Sequence, residues 1–364
     1  MKHLAPSFFR SFACAAGRCP DSCCRAGWEI IPDAETLRLY QALPGPAGDR
    51  LRAGIVPPSR DEQPAPASER TQCEDPLLRH DSHRVCVLLD ADGLCHVQKN
   101  FGHEALCRVC RAYPRFHREF GNLTEHGLSL SCPTAYALAV NAPLQWETWE
   151  DDAPIVPNEL DPETYLRLRR GRELALDLLG QERLPLRQRM TLVLRLAKAI
   201  QHAPEQLVRH DYALRLRRWQ TLPIPSASSG TSRQLPCNGN AVMQLAERFA
   251  ALEILSPAWG EKLEQLRALL QHGVGAPCAP LQGELLETDK PERYARYLAC
   301  SLYKYWLDAL DDGNLLGRVE RSVSMTLLGL AMDRAFPSEG PHLQRISREI
   351  EHCEENLTAL LKNT

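Results

Sequence analysis

Cysteine residues in the first third of the chain carry the clearest chemical signal in the sequence. Ten of the 14 cysteines and 7 of the 12 histidines lie within residues 1–132. In a reducing compartment, clustered cysteines serve more often as metal ligands or redox centres than as structural disulfides. This region is therefore predicted to bind a metal ion or an iron–sulfur cluster. Nine of these thiols form two groups, which read Cys14-x4-Cys19-x3-Cys23-Cys24 and then Cys86-x8-Cys95, Cys107-x2-Cys110 and Cys132, while Cys73 stands apart in a charged loop.

The N-terminal residues bear on the compartment and therefore on the state of these thiols. Arg10 interrupts the apolar stretch after only six residues. An export signal needs an uninterrupted apolar core of about 7–15 residues. We therefore expect no export signal, a cytoplasmic location and reduced thiols.

The spacing leaves the kind of metal open, since zinc takes four Cys or His ligands and an iron–sulfur cluster takes about four thiolates. The adjacent Cys23-Cys24 is unusual for a zinc finger, and the paired C-x2-C…C-x2-C arrangement of zinc ribbons does not occur. The C-x3-C-x2-C spacing of radical S-adenosylmethionine enzymes is also missing, because Ala26 stands at its third position. His96 or His103 could replace a thiolate, and a structural zinc site remains an alternative.

Composition excludes several classes of protein. The chain has 364 residues, a hydrophobic content of 44% and a formal net charge of −3. A wholly disordered chain lacks that much apolar material, and this charge gives no global basic footprint for nucleic acid. We find no apolar run near the roughly 20 residues of a membrane helix, so membrane insertion is not expected. The length corresponds to about two domains.

Helix signals are few in the cysteine-rich region. Asp33 is placed to cap a helix that ends near Leu43. Residues 44–72 are rich in proline, glycine and charge, which predicts an exposed loop. Residues 73–135 consist of short, turn-rich segments, with strand-like runs only at 85–89 and 127–131. Such a region has little core of its own, so metal ligation is expected to supply stability.

The character of the sequence changes near residue 157, where helical patterns begin. Asp161 and Pro162 provide the cap and first-turn proline of a helix that stops at Gly180. The fold class is therefore predicted to be mainly α, with a cysteine-rich, loop-rich metal-binding domain at 1–155 and an all-helical domain at 156–364. Further helices are predicted at 184–201, 204–220, 240–255, 258–272, 291–311, 314–335 and 341–361.

Four ordered blocks in the first third resemble the flagellin lysine-N-methylase (FliB) family, within the wider group of CxxCxxCC zinc- or iron-chelating domains. The blocks span about residues 9–135 and occur in family order. They read Cys14…Cys19…Cys23-Cys24-x3-Trp28-x-Ile30, Cys86-Val-Leu-Leu-Asp-x3-Leu94-Cys95-x-Val97-Gln98-Lys99, Cys110-Arg-Ala-Tyr113-Pro114-Arg115 and Leu128-Ser129-Leu130-Ser131-Cys132-Pro133. The C-terminal body resembles the family only loosely, in Tyr294-x2-Tyr297 through Tyr303-x-Tyr305.

The resemblance implies a cytoplasmic methyltransferase that moves a methyl group from S-adenosylmethionine to lysines of flagellin. It also implies an iron–sulfur cluster, expected to be [4Fe–4S], with zinc as the alternative metal. Eight matching thiols exceed the four ligands of one cluster, so either two centres exist or some thiols are structural. Cys107, which forms the x2 pair with Cys110, is a further candidate ligand on which the resemblance is weaker. The candidate ligands are Cys14, Cys19, Cys23, Cys24, Cys86, Cys95, Cys110 and Cys132.

The sequence itself identifies neither a cofactor pocket nor a catalytic residue for methyl transfer. A G-x-G-x-x-G turn after a strand does not occur, and a helical body does not suit a Rossmann-like sheet. Several aromatic residues are candidates by type for contacting the sulfonium. Trp28 is the best placed of them, close to the cysteines, although packing over a cluster is an equal alternative. Two other functions remain open: a metal-stapled protein-binding module without catalysis, and a redox or electron-transfer protein.

Overall fold

The computed structural model describes residues 1–57, 75–155, 160–202, 239–271 and 286–361. Cys73 and the predicted helix at 204–220 lie outside these ranges. Over the described residues, none of the helices combines the length and the apolar character needed to cross a membrane.

The described elements are mostly helical, which confirms the predicted fold class. The strands are β1 Lys2–Pro6, β2 Ile55–Val56, β3 Leu77–Leu78, β4 Arg115–Phe120, β5 Leu123–Leu128 and β6 Trp146–Glu150. The helices are α1 Ala34–Ala42, α2 Gly45–Ala53, α3 His96–Phe101, α4 Arg108–Ala112, α5 Pro133–Asn141, α6 Pro162–Leu179, α7 Leu186–His202, α8 Gly239–Ala250, α9 Pro257–Gln271, α10 Pro291–Tyr305, α11 Ala309–Asp312, α12 Leu315–Ala335, α13 His342–Ile350 and α14 Glu354–Ala359.

The chain forms two compact units. The larger unit contains Met1–Ser11, His117–Ser131 and Ala135–Thr364, and the smaller unit contains Phe12–Phe116 and Cys132–Thr134. The first strand and the residues from His117 onward, apart from Cys132–Thr134, thus fall with the helical body.

Local sequence signals place several helices where they were predicted. The Asp33 side chain accepts a hydrogen bond from the Thr36 amide at 2.9 Å and begins α1. Asp161 caps α6 in the same way, and Gly180 ends it. Residues 341–361 form two helices rather than one, because the chain leaves the helical conformation before Cys353, whose sulfur caps α14.

The predicted loop at 44–72 is wrong over its first part. Residues Gly45–Ala53 form helix α2, with Pro46 in its first turn, and Ile55–Val56 form a strand. Proline in the first turn suits a helix, since its missing N–H would have no partner there. The loop was predicted from the number of prolines and glycines, whereas the position of Pro46 favours a helix.

A four-stranded sheet in the order β4-β5-β1-β6 was not predicted. Strand β1 pairs with β5 in parallel and with β6 antiparallel. The predicted run at 127–131 overlaps only the end of β5. The run at 85–89 makes only two isolated bridges, which join His80 to Cys86 and Leu89 to Cys95.

The core of the larger unit is dense and aromatic. Trp306 and Trp259 are almost fully buried, and the Trp306 indole N–H donates to the Leu168 carbonyl at 2.8 Å. Helices α12 and α13 approach so closely that a Cβ atom at Gly329 would overlap Leu343. Such packing supplies the stability of this unit through burial of apolar surface.

Candidate metal centre

The first thiol group lies in the smaller unit on a run of turns and short 3-10 segments. The Ser22 hydroxyl accepts a hydrogen bond from the Cys24 amide at 3.2 Å and so begins the turn Cys23–Arg25. The backbone at Gly17 packs closely against the Leu94 side chain. A Cβ atom added at Gly17 would lie 3.2 Å from a Leu94 methyl carbon. This approach brings the first thiol group against the turn that carries the second.

The second group begins on a hairpin-like turn that ends at Cys95. Its backbone bridges Leu89 to Cys95, and Gly93 turns the chain with a φ of +78°. The Cys86 amide donates to the Cys24 carbonyl at 2.9 Å. This backbone bond fixes Cys86 beside the first group.

Cys107 and Cys110 are positioned by the start of α4. The Asp33 carboxylate accepts a hydrogen bond from the Arg108 amide at 2.9 Å, so one side chain caps both α1 and α4. Backbone hydrogen bonds from Arg108 and Thr36 lower the pKa of Asp33, which keeps it ionised at neutral pH. The thiol of Cys107, the candidate ligand on which the resemblance is weaker, is hydrogen-bonded to Cys110.

Several of the thiols contact one another. Cys24 is hydrogen-bonded to Cys23 and to Cys95. The hydrogen bonds to Cys23 and to Cys95 raise the pKa of Cys24. The hydrogen bond that Cys24 makes to Cys95 lowers the pKa of Cys95 to about 6. In the second pair, the shared hydrogen bond lowers the pKa of Cys107 and raises that of Cys110. Each pair therefore stabilises one thiolate.

Further thiols lie within electrostatic reach of these pairs. The pKa of Cys86 is raised to about 11, chiefly by burial and also by charge on Cys95, Cys107 and Cys23, against a backbone hydrogen bond from Leu88 that lowers it. Burial also raises the pKa of Cys19, with additional effects from Cys14 and Cys23. Eight thiols thus lie together in the smaller unit. Cys132 is buried in the same unit.

The donor set fits a thiolate-binding metal, since soft thiolates select zinc and iron–sulfur clusters. A small apolar core that includes Cys86 and Cys107 supports it, with Cys24, Cys95 and Cys110 packed against that core. Across the described residues, however, the structure holds no group of three or more His, Cys, Asp or Glu side chains arranged to bind a metal. The side chains of the thiol pairs would therefore have to reorient to converge on a metal.

His96 and Trp28 have packing and hydrogen-bonding partners of their own. His96 Nε2 lies 3.1 Å from the Ala47 carbonyl, and Nδ1 lies 3.3 Å from an Arg50 nitrogen. Both ring nitrogens are thus engaged by protein groups and hold α2 in place. The Trp28 ring packs edge-on against Tyr113, with 4.9 Å between centroids. A role of Trp28 in binding the methyl donor stays a prediction.

Comparison with known proteins places this thiol-rich, mainly helical chain in a family. Over 151 residues it is 31% identical to the "Flagellar biosynthetic protein FliU" of Salmonella muenchen, covering 38% of this chain and 76% of that protein. Over 151 residues it is also 30% identical to proteins named "Lysine-N-methylase" from Salmonella typhimurium and Salmonella choleraesuis. The chain belongs to this FliB family, as the sequence blocks indicated.

The likeness to the two methylases is partial. The alignment covers 38% of this chain and 32% of each methylase, so the chain spans about a third of their length. No protein-family model matches the sequence. No solved structure matches it either.

Proposed function

We propose that this protein is a protein-lysine methyltransferase that transfers the methyl group of S-adenosylmethionine to lysines of flagellin. The observation that carries the proposal is membership of a family that contains proteins named lysine-N-methylase. The FliU relative bears a flagellar name, which supports flagellin as the substrate. A cytoplasmic location fits the reaction, because a reducing compartment keeps the thiols of the smaller unit available.

The thiols of the smaller unit are the proposed ligands of a [4Fe–4S] cluster. Cys24, Cys95, Cys107 and Cys110 are the first candidates, because their two hydrogen-bonded pairs already favour thiolates. Cys23 and Cys86 lie within electrostatic reach of them. When bound, a cluster would supply electron-deficient iron and would cross-link loops that have little regular structure.

Methylation of lysine sets a clear chemical requirement. The ammonium of lysine, with an ordinary pKa of about 10.4, must lose a proton before its nitrogen can attack a carbon. The nitrogen lone pair then forms the N–CH3 bond while the S–CH3 bond breaks and its electron pair stays on sulfur. The sulfonium becomes a neutral thioether, so charge moves from sulfur to the amine. The protein therefore needs a base near the lysine.

A second candidate function is a metal-stapled binding module without catalysis. The short elements of the smaller unit favour it, since α3 and α4 have only six and five residues. A zinc ion on two thiol pairs would stabilise such a unit without any reaction. The methyl-transfer assay separates the two functions.

The test uses the full-length protein purified without oxygen. Purified flagellin is incubated with the protein and S-adenosylmethionine carrying an isotopically labelled methyl group, and labelled lysines are counted by peptide mass spectrometry. We expect labelled mono- or dimethyl-lysine with wild-type protein and with Cys300→Ala, whose thiol is buried in α10. Cys95→Ala should lose both bound metal and methylation. If wild-type protein that retains bound metal leaves flagellin unlabelled in every reaction, the proposed activity is refuted.

A further inference from the structure

One face of the sheet in the larger unit carries imidazole and indole side chains. Side chains alternate across a strand, so neighbours in β5 point to opposite faces. Glu125 contacts Arg172 of α6, which places His126 on the other face. His3 of β1 pairs directly with Trp149 of β6, and both rings stack beside His126.

Two histidines and one aspartate on this face form a continuous chain of polar contacts. His3 Nδ1 lies 2.9 Å from His126 Nε2. His3 Nε2 lies 3.0 Å from Asp151 Oδ2, although this nitrogen makes no hydrogen bond of normal geometry. The Ala153 amide donates to Asp151 Oδ1 at 3.0 Å and fixes the carboxylate. The chain therefore runs from Asp151 through His3 to His126.

The charge of Asp151 decides which nitrogens carry protons. The backbone hydrogen bond from Ala153, followed by the interaction with His3, lowers the pKa of Asp151 and keeps it ionised. We place a proton on His3 Nε2, because this nitrogen is buried 3.0 Å from the carboxylate. We then assign His3 Nδ1 as the acceptor in its contact with His126, which donates from Nε2. This assignment leaves the lone pair of His126 on Nδ1.

The surroundings of His126 keep its imidazole neutral. Burial lowers its pKa, and His3 and His117 lower it further, whereas Asp151 acts in the opposite direction. The Arg10 guanidinium lies 4.3 Å from the centre of the Trp149 ring and adds another positive charge on this face. The Met1 amino group lies 3.7 Å from Asp151 Oδ1. At neutral pH the ring is thus an acceptor with a free lone pair.

Hydrogen bonding and stacking both fix the orientation of the His126 ring. Trp149 stacks on His126 with 5.2 Å between ring centres and on His3 with 5.0 Å. Phe9 packs against His126 at 5.5 Å. A ring held by two aromatic neighbours and one hydrogen bond presents its remaining nitrogen in a fixed direction, as a general base requires.

We propose that His126 is the general base that accepts a proton from the lysine ammonium, with His3 and Asp151 as positioning residues. The inference rests on the proposed function. The proton moves from the lysine nitrogen to His126 Nδ1, and the freed electron pair of that nitrogen forms the new bond to carbon. The positive charge on His126 is stabilised through His3 by the Asp151 carboxylate, and the proton then passes to water.

The first test compares the pH dependence of methylation in wild type and His126→Gln. At about pH 7.5 the variant should lose about 10²–10⁴-fold in kcat/KM, the usual contribution of a general base. Its rate should then rise tenfold per pH unit toward the lysine pKa, so the gap closes at high pH. A merely structural role would lower the rate by the same factor at every pH, and that result, or no loss, would overturn the proposal. His202→Gln, at the exposed end of α7, is the matched control and should match wild type.

The second test examines the positioning residues. Removal of the carboxylate in Asp151→Asn takes away the charge that raises the pKa of His126. We therefore expect a reduced plateau rate and an acid limb of the profile displaced to lower pH. A reduced rate with an unmoved acid limb would overturn the role of Asp151.

A measurement without substrate separates this inference from the proposed function. Nitrogen-15 NMR of histidine-labelled wild-type protein reports which ring nitrogen is protonated. We expect a protonated Nε2 and an unprotonated Nδ1 at His126, and Asp151→Asn should shift the His3 signals. A proton on His126 Nδ1 in neutral solution would overturn the inference even if flagellin is methylated. A protein that methylates nothing but shows the expected tautomers would refute the proposed function, and with it the role of His126 as base, while the tautomer assignment would stand.

Discussion

Buried polar groups are balanced differently in the two compact units. In the larger unit they form oppositely charged pairs, such as Arg172 with Glu125, where each side chain is only 2% exposed. In the smaller unit, buried or half-buried thiols such as Cys24 and Cys95 hydrogen-bond one another. When two thiols share a proton, ionising the second thiol places two negative charges side by side, which costs free energy. A bound metal cation would remove that cost.

This contrast indicates what each unit needs in order to fold. The helices of the larger unit bury large aromatic and leucine side chains, so packing and paired charges stabilise it. The elements of the smaller unit are short and its apolar core is small. We infer that metal binding supplies a large share of its stability, whereas the larger unit should tolerate metal loss. The predictions below test this contrast.

The largest effect should follow removal of the metal. Chelation of the anaerobic full-length protein should unfold the smaller unit, because structural zinc sites contribute on the order of 10 kcal/mol to folding. Hydrogen exchange followed by mass spectrometry should show lost protection over Phe12–Phe116 and retained protection over Leu315–Ala335. If chelation leaves the protection of the smaller unit unchanged, the proposed contrast between the two units is contradicted.

The next largest effect should come from breaking the buried pair in the larger unit. Glu125→Gln leaves the Arg172 guanidinium buried without its counter-charge, which should lower the free energy of unfolding by about 3–5 kcal/mol. Chemical denaturation measures this loss. Arg169→Met, which breaks an exposed pair with Glu173, should cost less than about 1 kcal/mol. Similar losses in both variants would contradict the proposed role of burial.

A pH effect in the larger unit should follow from Glu349. Burial raises its pKa from 4.5 to about 7, although the Ser256 and Leu255 amides and the neighbouring Arg348 and Arg345 oppose the rise. Because the folded state holds this proton more tightly, its stabilising contribution is present below about pH 4.5 and is lost as pH rises through about 7. Relative to Glu349→Gln, wild type should lose up to about 3 kcal/mol across that window. The same change in the free energy of unfolding with pH for both proteins would contradict this linkage.

The smallest effect concerns the capping carboxylates. Asp33→Ala removes the cap of α1 and the acceptor for the Arg108 amide, so it should cost about 1–2 kcal/mol. Asp161→Ala removes a cap from α6 alone and should cost about half as much. Because the pKa of Asp33 is lowered, its contribution is present at neutral pH and is lost only in strong acid. Thermal unfolding at neutral pH compares the two variants, and a larger loss for Asp161→Ala would contradict the double cap.

Local signals in the sequence identified much of the helical body and the thiol-rich character of the candidate site. Asp33, Asp161 and Gly180 act on residues within one helical turn, so their effect is visible without the fold. Ten clustered cysteines likewise predict a metal-binding region without knowledge of the tertiary structure.

Pairings between distant residues were not visible in the sequence. Strand β1 pairs in parallel with β5, about 120 residues away, and neither segment shows a clear alternating pattern. The contact of His3 with His126 depends on that pairing, so the polar chain to Asp151 was missed. The hydrogen bond between Cys24 and Cys95 also joins distant segments. Spacing alone can predict a cluster of thiols but not their partners.

The most direct test of the account is the metal content of the full-length protein purified without oxygen. We predict about four iron and four sulfide per chain with visible absorption typical of an iron–sulfur cluster. Both should be lost in Cys95→Ala and retained in Cys300→Ala. Zinc without iron would contradict the cluster and favour the metal-stapled binding module. Wild-type protein that is fully folded with neither metal would contradict the central claim that the thiols of the smaller unit are metal ligands.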